Sequence, residues 1–126
     1  AVSDVTGDFF LNETNTENSG AAHISNTGTK IKASPIKLKD IKAIGDLKNI
    51  YIKIDTEGYE MSVLNGLKDL FEANLVRKLV IEIDELNLIK YEASSKKLYN
   101  YLKKYGFRPT IGLKKGHYDE VFVEND

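Results

Sequence analysis

The sequence predicts an α/β domain with a mostly parallel sheet that ends in an antiparallel C-terminal hairpin. From Asn49 onward, β-branched segments of strand length alternate with amphipathic segments of helix length, which is the order of a parallel sheet covered by helices. The last two strand segments follow each other without a helix, which predicts the hairpin. The length of 126 residues, with 41% hydrophobic and 29% charged residues, is typical of one soluble globular domain, so we expect a single domain over residues 1–126.

The first third of the chain is polar and predicts short strands with long connections. Asp8 to Leu11 is an apolar run typical of an edge strand, and Lys30 to Ala33 alternates with the period of a strand. Between them, Asn12 to Thr29 is rich in Asn, Thr, Ser and Gly, which predicts either a loop or short strands with long turns. Asp40 is placed to cap a short helix that runs to Leu47.

The middle of the chain predicts a strand, a turn, a helix and a second strand. Asn49 to Ile54 is β-branched and aromatic, as strands are, and Asp55 to Gly58 follows as the turn. Tyr59 to Ala73 has apolar residues along one side of a helix, which Asn65-Gly66 is expected to divide. Leu79 to Ile83 is the second strand.

The C-terminal part predicts one helix and the hairpin. Ser94 or Ser95 is expected to cap the helix, whose apolar residues follow the helical spacing, and Gly106 ends it. The hairpin consists of two strands and their connection, namely Phe107 to Leu113, Lys114 to His117, and Tyr118 to Val123.

Charge and composition exclude several classes of protein. With 18 basic and 19 acidic residues the net charge is −1, which excludes a strongly basic binder of nucleic acid or membrane surfaces. The absence of cysteine excludes disulfides, thiolate zinc sites and a cysteine nucleophile, and two histidines are too few for a multi-histidine metal site. No apolar run approaches the roughly 20 residues of a membrane-spanning helix, and no charged-then-apolar leader opens the sequence. We therefore expect a cytoplasmic protein without nucleic-acid or membrane partners.

Polar residues stand near the ends of the two central strands, at the edge where open α/β sheets bind ligands. Alternation places Lys53 and Asp55 on one face of the first strand, and Glu82 lies on one face of the second. Because a parallel strand that is buried on both faces is apolar throughout, Lys53 and Glu82 break the expected pattern. Either these two residues form a structural ion pair, or they line a polar pocket. Asp55 and Glu57 would belong to the same pocket.

Several of these residues also have plainer interpretations. Glu57 and Glu60 stand where negative charge favours a helix N-terminus, and this role is preferred on spacing alone. Gly58 supplies the turn or lets the backbone approach a ligand, and composition favours the turn. Carboxylates this close in sequence can hold magnesium, but the spacing is not specific for it, so no metal is expected. His117 lies in a turn and is expected to be an ordinary surface residue.

The most specific motif spans the first central strand and the helix after it. Ile52 to Glu60 reads I-K-I-D-T-E-G-Y-E, and Val63 to Gly66 reads V-L-N-G. These segments resemble the signature of FkbM-family methyltransferases, K-I-D-x-E-G-x-E followed by V-L-x-G. Weaker matches run in the same order along nearly all of the chain: Ala1 to Asp4 with Gly7, Leu38 to Ile41, Val80 to Ile83, and Tyr105 to Phe107.

This resemblance implies a class I methyltransferase that depends on S-adenosylmethionine and has a doubly wound, Rossmann-like sheet. Several members of the family methylate hydroxyl oxygens of sugars or natural products. The Gly-rich loop after the first strand of such enzymes, and the acidic residue that binds the ribose, have no counterpart in these 126 residues. We therefore expect a partial doubly wound sheet, the C-terminal half of the enzyme. S-adenosylmethionine is expected to bind the intact enzyme and not this chain alone.

The resemblance also implies roles for the polar residues. A carboxylate beside the transferred methyl group can accept or orient the proton of the acceptor, which is a small molecule or a glycan. The alternative is a non-catalytic α/β module for binding or assembly. The resulting expectations are Asp55 and Glu57 as catalytic residues, Lys53, Glu60 and Glu82 as residues of the substrate pocket or its surroundings, and Ala1, Val2 and Ser3 at the cofactor.

The truncated sheet leads to one expectation about partners. Without its neighbour, the strand from Ile50 to Ile54 exposes unpaired N–H and C=O groups along one edge. Either Asp8 to Leu11 folds over this edge, or a second copy of the chain pairs with it across a two-fold axis. We favour the homodimer, because the polar loop after Leu11 is ill-suited to hold a replacement strand.

Overall fold

The computed structural model describes residues 1–12, 23–45 and 47–125 of the chain. The described N-terminal elements are β1 (Gly7–Asn12), β2 (His23–Ser25), β3 (Thr29–Ala33) and α1 (Leu38–Ile44). The central elements are β4 (Ile50–Ile54), α2 (Glu60–Gly66), α3 (Lys68–Glu72) and β5 (Val76–Asp84). The C-terminal elements are α4 (Glu85–Lys90), α5 (Ser95–Lys104), β6 (Phe107–Pro109) and β7 (His117–Glu124).

The main sheet has the strand order β4-β5-β7-β6, in which β4, β5 and β6 run in the same direction and β7 runs opposite to them. β4 and β5 are parallel, as the alternation of strands and helices predicts, but β7 is antiparallel to both of its neighbours. The antiparallel C-terminal hairpin is confirmed. The expectation of a mostly parallel sheet agrees with the strand directions, since only β7 runs opposite to the other three strands. The antiparallel strand was expected at the edge of the sheet, but β7 lies between β5 and β6.

The first strand of the hairpin is shorter than the sequence predicts. The expected strand from Phe107 to Leu113 ends at Pro109, and the chain then forms a connection up to β7. Proline has no N–H for the strand ladder, and Gly112 adopts a φ of 100°, which lies outside the strand region. The Thr110 N–H still binds the Val121 carbonyl oxygen of β7, whereas the Ile111 and Gly112 N–H groups bind the carboxylate of Glu120 instead of a strand.

A separate three-stranded antiparallel sheet with the order β2-β1-β3 precedes the main sheet. β1 is therefore a central strand and not the edge strand that its short apolar run predicts, because β2 and β3 pair with it on both sides. β2 falls within the segment Asn12 to Thr29 and fits the alternative of short strands with long turns, although its three residues are too few to show a period. The rest of that segment, residues 13–22, lies outside the described residues.

The helices α1, α2, α3 and α5 follow the sequence signals with small shifts, whereas α4 is not predicted from the sequence. α1 begins two residues before Asp40, so Asp40 is not the N-cap; its carboxylate accepts the Lys37 N–H from the third helical position. The helix predicted from Tyr59 to Ala73 is divided in two, with the break at Leu67 directly after the Asn65-Gly66 pair. Ser94 caps α5, because its hydroxyl accepts the Lys97 N–H at 3.2 Å.

One face of the main sheet carries the core. Alternate residues of β5 are buried together with Phe122 of β7 and with apolar residues of α2, α3 and α5. The other face is open at β4, where Tyr51 is 70% exposed and Lys53 is exposed. This one-sided burial explains why Lys53 and Glu82 break the apolar pattern: both lie on the face away from the core. In the described ranges, no helix is long and apolar enough to cross a membrane.

A fully buried carboxylate, that of Glu120, anchors the connection between β6 and β7. It accepts N–H bonds from Ile111 and Gly112 at 3.0 and 2.7 Å and the Tyr99 hydroxyl at 2.9 Å, besides both donors of Thr110. Burial alone would raise the pKa of Glu120, but these hydrogen bonds favour the charged form more strongly, so its pKa lies below the ordinary 4.5. Glu120 thus fixes the loop that leads to His117.

Glu120→Gln should lower the free energy of unfolding by about 2 kcal/mol at neutral pH, because it weakens several charge-assisted hydrogen bonds. A carboxylate whose pKa is lowered by folding stabilises fully above its unfolded pKa, near 4.5, and loses this effect as the pH falls through its folded pKa. Urea denaturation between about pH 6 and pH 3 should therefore show the difference between wild type and variant shrinking below pH 4.5. A difference that stays constant over this range would contradict the assignment.

Candidate functional site

The parallel pairing of β4 and β5 brings acidic side chains together at the carboxyl end of both strands. Asp55 and Glu57 follow β4 directly, and Glu82 lies near the end of β5 on the open face of the sheet. One carboxylate oxygen from each of Asp55, Glu57 and Glu82 lies within 4.8 Å of the other two. The structure thus brings together three of the residues that the sequence places in one polar pocket.

Each of these carboxylates has its own partner in the protein. Asp55 binds the Lys53 ammonium at 3.1 Å, and Glu57 accepts a hydrogen bond from the side-chain amide of Asn87 at 3.0 Å. Oε1 of Glu82 lies 2.6 Å from Nε2 of His117. Three clustered carboxylates can in principle bind a divalent cation. Since a lysine, an amide and a histidine already serve them here, we assign no metal to the cluster.

The expected ion pair between Lys53 and Glu82 is not formed. The register places Lys53 opposite Val80, and the ammonium turns to Asp55, two residues further along its own strand. Glu82 instead pairs with a residue of β7, because β5 and β7 are neighbours with Asp84 opposite His117. The prediction that Lys53 and Glu82 form an ion pair with each other is therefore wrong, because each of them binds a different residue.

His117 and Asn87 belong to the site, although sequence reasoning assigned neither of them to it. His117 is 61% exposed, as a surface residue is, but its ring is fixed by Glu82. The hairpin itself is the signal that could have found it, since an antiparallel strand beside β5 begins where β5 ends. Asn87 is brought close by α4, which the Asp84 carboxylate caps by accepting the Leu86 N–H at 3.0 Å.

The turn after β4 has a strained conformation at an acidic residue. Glu57 has a φ of 53°, in the left-handed region that costs a residue with a side chain about 1–3 kcal/mol. Gly58 follows with a φ of 105°, and a Cβ there would lie 2.3 Å from the carbonyl oxygen of Asn87. The glycine is therefore required by the close approach of α4. Glutamate at position 57 has no comparable conformational reason, which favours a functional role for its carboxylate.

Glu60 organises this turn from below. It is 1% exposed, and its Oε1 accepts the N–H groups of Thr56 and Gly58 at 3.0 and 3.1 Å and the Thr56 hydroxyl at 2.9 Å. Oε2 of Glu60 is buried without a partner among the described residues. The structure thus places Glu60 beneath the site, where it holds the backbone that carries Asp55 and Glu57.

The three residues expected at the cofactor lie on the other side of the same turn. Ser3 is fully buried, and its hydroxyl is 2.9 Å from that of Tyr59. Ala1 and Val2 line a cavity of about 800 Å³ whose walls come from both sheets and from α1, α2 and α3. These walls are mainly apolar, and the cavity is polar where it meets the end of β4, at Lys53, Asp55, Thr56 and Tyr59.

The charges of the site alter its proton affinities. Hydrogen bonding to Asp55 raises the pKa of Lys53, so this ammonium stays charged. Burial raises the pKa of Glu82; His117 opposes this shift and the nearby Asp55 adds to it. The hydrogen bond and charge of Glu82 in turn raise the pKa of His117 above its ordinary 6.5. Glu82 and His117 are therefore linked in how they bind protons.

The fold and the site define a mixed α/β protein with clustered acids at the carboxyl end of two parallel strands, next to a large cavity. The model of the methyltransferase FkbM domain matches residues 1–109. The chain therefore belongs to the FkbM methyltransferase family, as its motifs indicate. No curated protein and no solved structure matches it.

Gly58→Ala should destabilise the chain by about 1–3 kcal/mol, because the new Cβ needs both an unfavourable φ and a retreat of α4. The retreat should also break the hydrogen bond from Asn87 to Glu57. Urea denaturation measures the first effect, and the amide proton shifts of Asn87 measure the second. Gly7→Ala is the matched control, since a Cβ at Gly7 meets nothing within 4 Å and should change stability by less than about 0.5 kcal/mol.

Proposed function

We propose that this chain forms part of an S-adenosylmethionine-dependent methyltransferase that methylates a hydroxyl oxygen of a sugar or a natural product. Membership of the FkbM family supports methyltransferase activity. The observation that carries the assignment to a site is Glu57, a strained acidic residue held beside Asp55 where ligands of α/β sheets bind.

The chemistry of methyl transfer suits these two carboxylates. The acceptor oxygen attacks the methyl carbon in a displacement, so alignment and removal of the hydroxyl proton are the main needs of the reaction. Asp55 is the proton acceptor in this proposal, and Glu57, held by Asn87, orients the hydroxyl. Lys53 places a positive charge 3.1 Å from the Asp55 carboxylate, so the two form an ion pair.

The size of the cavity and the character of its walls are those of a ligand pocket. Its volume of about 800 Å³ lies within the range of ligand pockets, and its walls are apolar with a polar end. When bound, S-adenosylmethionine supplies a methyl group made reactive by a positively charged sulfur. Asp55, Thr56 and Tyr59 would hold its polar parts, and Ala1 and Val2 would contact it from the other side.

The free edge of β4 supports the proposal that the chain is the C-terminal half of the domain. In the doubly wound order 3-2-1-4-5-6, the fourth strand lies between the first and the fifth. β4 pairs with β5 on one side, and no strand of the described ranges pairs with it on the other. A first strand with its Gly-rich loop would fit beside β4, and its helix would cover the cavity.

The same edge favours the second candidate function, a module for binding or assembly. β1 belongs to its own sheet, so the possibility that Asp8 to Leu11 pairs with β4 is excluded. An open strand edge is a template for another chain. In the absence of a first strand, we propose that two copies of this chain pair through β4 around a two-fold axis.

Asp55→Asn and Glu57→Gln should each lower turnover of the intact methyltransferase by about 10²–10⁴-fold, because each removes a group that handles the acceptor's proton. Transfer of a labelled methyl group to methyl glucoside or cyclohexanol measures turnover, and calorimetry checks that S-adenosylmethionine still binds. The control Glu72→Gln changes an exposed acid on α3 that forms an ion pair with Lys68 and should leave turnover unchanged. Unchanged turnover in both site variants, with reduced thermal stability, would assign the carboxylates to folding instead.

The 126-residue chain alone should dimerise through β4, which Tyr51→Pro tests. The Ile50 N–H points to β5, so by alternation the Tyr51 N–H points to the free edge, where proline removes one donor and leaves the pairing with β5 intact. Sedimentation at several concentrations should show a dimer for the wild type and for Tyr51→Thr, and a monomer for Tyr51→Pro. A wild type that stays monomeric at high concentration would contradict the dimer.

A further inference from the structure

Glu82 connects the acidic cluster to an exposed histidine. One of its oxygens lies within 4.8 Å of oxygens of Asp55 and Glu57, and its Oε1 is 2.6 Å from Nε2 of His117. The side chain of Glu82 is 15% exposed, whereas that of His117 is 61% exposed. A series of proton-binding groups therefore leads from the site to solvent.

We propose that Glu82 and His117 carry the acceptor's hydroxyl proton from Asp55 to solvent during methyl transfer. This inference rests on the proposed function, because it gives a route to the proton that the transfer releases. Asp55 remains the residue that touches the acceptor. Glu82 and His117 act through Asp55, so they are positioning residues of the reaction.

Each step of this route balances. At rest, Glu82 is a carboxylate, and His117 is neutral with its hydrogen on Nδ1 and its free Nε2 toward Glu82. The acceptor oxygen forms a bond to the methyl carbon while the carbon–sulfur bond breaks with its electron pair left on sulfur, and the hydroxyl proton passes to Asp55. Asp55 passes this proton to Glu82, and Glu82 passes it to Nε2 of His117. The imidazolium releases its Nδ1 proton to water, and proton exchange with water then returns the neutral ring to the form that carries its hydrogen on Nδ1.

The fold holds His117 in place for this role. His117 is the first residue of β7 and lies opposite Asp84 in the ladder with β5. The loop before it is anchored at one end by Glu120, and further along by the Tyr118 hydroxyl, which accepts the Lys114 N–H at 3.1 Å. The exposed imidazole is thus attached to a fixed backbone, and its bond to Glu82 does not depend on a mobile turn.

The charges around His117 determine how the route depends on pH. Glu82 and Asp84 face it from β5 and Asp119 from β7, while Asp55 and Lys53 lie beyond Glu82. The acids hold the pKa of His117 above 6.5, with the hydrogen bond of Glu82 as the main cause. Because the route needs a neutral imidazole, turnover should rise with pH through this raised value.

Nuclear magnetic resonance on the 126-residue chain tests the proton linkage without any activity. The chain has two histidines, so His23→Asn and His117→Gln assign both imidazole signals. The pKa of His117 should lie above 6.5 in the wild type and fall toward 6.5 in Glu82→Gln. Asp55→Asn should lower the pKa of the Glu82 carboxyl group, because it removes a neighbouring negative charge. A His117 that titrates identically in wild type and Glu82→Gln would overturn the route, whatever the activity of the enzyme.

Turnover of the intact methyltransferase tests the role in catalysis, with methyl glucoside as the acceptor probe. The wild type should gain turnover with an apparent pKa above about 6.5. His117→Gln can hydrogen-bond to Glu82 but cannot pass a proton, so kcat should fall about 10²-fold with KM unchanged, and the pH dependence should disappear. Added imidazole should restore part of the rate. His23→Asn is the matched control and should keep the wild-type profile.

The outcomes separate this inference from the proposed function. If the intact enzyme binds no S-adenosylmethionine, the proposed function is wrong and the proton route is wrong with it. If the wild type transfers methyl groups and His117→Gln keeps both its rate and its pH profile, the route alone is wrong.

Discussion

The parallel pairing of β4 with β5 is the constraint on which the rest of the structure depends. Because the two strands run in the same direction, their carboxyl ends meet at one edge, and the acids that follow or end them become neighbours. An antiparallel pair would have placed Asp55 and Glu82 at opposite ends of the sheet. β7 also brings a residue to this edge. Because β7 is antiparallel to β5, its first residue, His117, lies beside the end of β5.

The second constraint on the structure is that the core covers only one face of the main sheet. The helices α2, α3 and α5 cover one face of the main sheet, while β4 has an open face, an open edge and a large apolar cavity beside it. A single domain of this size buries about two-thirds of its extended surface, so an uncovered apolar cavity of about 800 Å³ is a considerable exception. It marks the part of the molecule where a ligand, a further strand or a second chain has the most surface to gain.

Much of the fold can be predicted from local signals, and the failures have identifiable causes. The β-branched run before Asp55, the divided helix after it and the serine cap of α5 are confirmed because each is set by a few adjacent residues. The place of β7 between β5 and β6 is not local, since any antiparallel hairpin gives the same sequence pattern. The central position of β1 is missed for the same reason.

The candidate site shows a similar division. The motif around Asp55 and Glu57 identified the acids that come together, because consecutive residues after one strand stay together in any register. The partners of these acids depend on the register of the strands and on which strands are neighbours. The spacing of residues in the sequence therefore could not predict that Glu82 binds His117 and not Lys53. Asn87 reaches Glu57 only because Gly58 permits the close approach of α4.

Burial divides the titratable residues around the candidate site into two groups. Glu60 and Glu120 are almost fully buried, and each binds the N–H groups of a loop, one before α2 and one after β6. Asp55 and His117 are partly or largely exposed and bind other side chains. At Glu120, the N–H bonds favour the charged form and lower its pKa. Glu60 and Glu120 thus fix the backbone on both sides of the site, and Asp55 and His117 are the residues that solvent can reach.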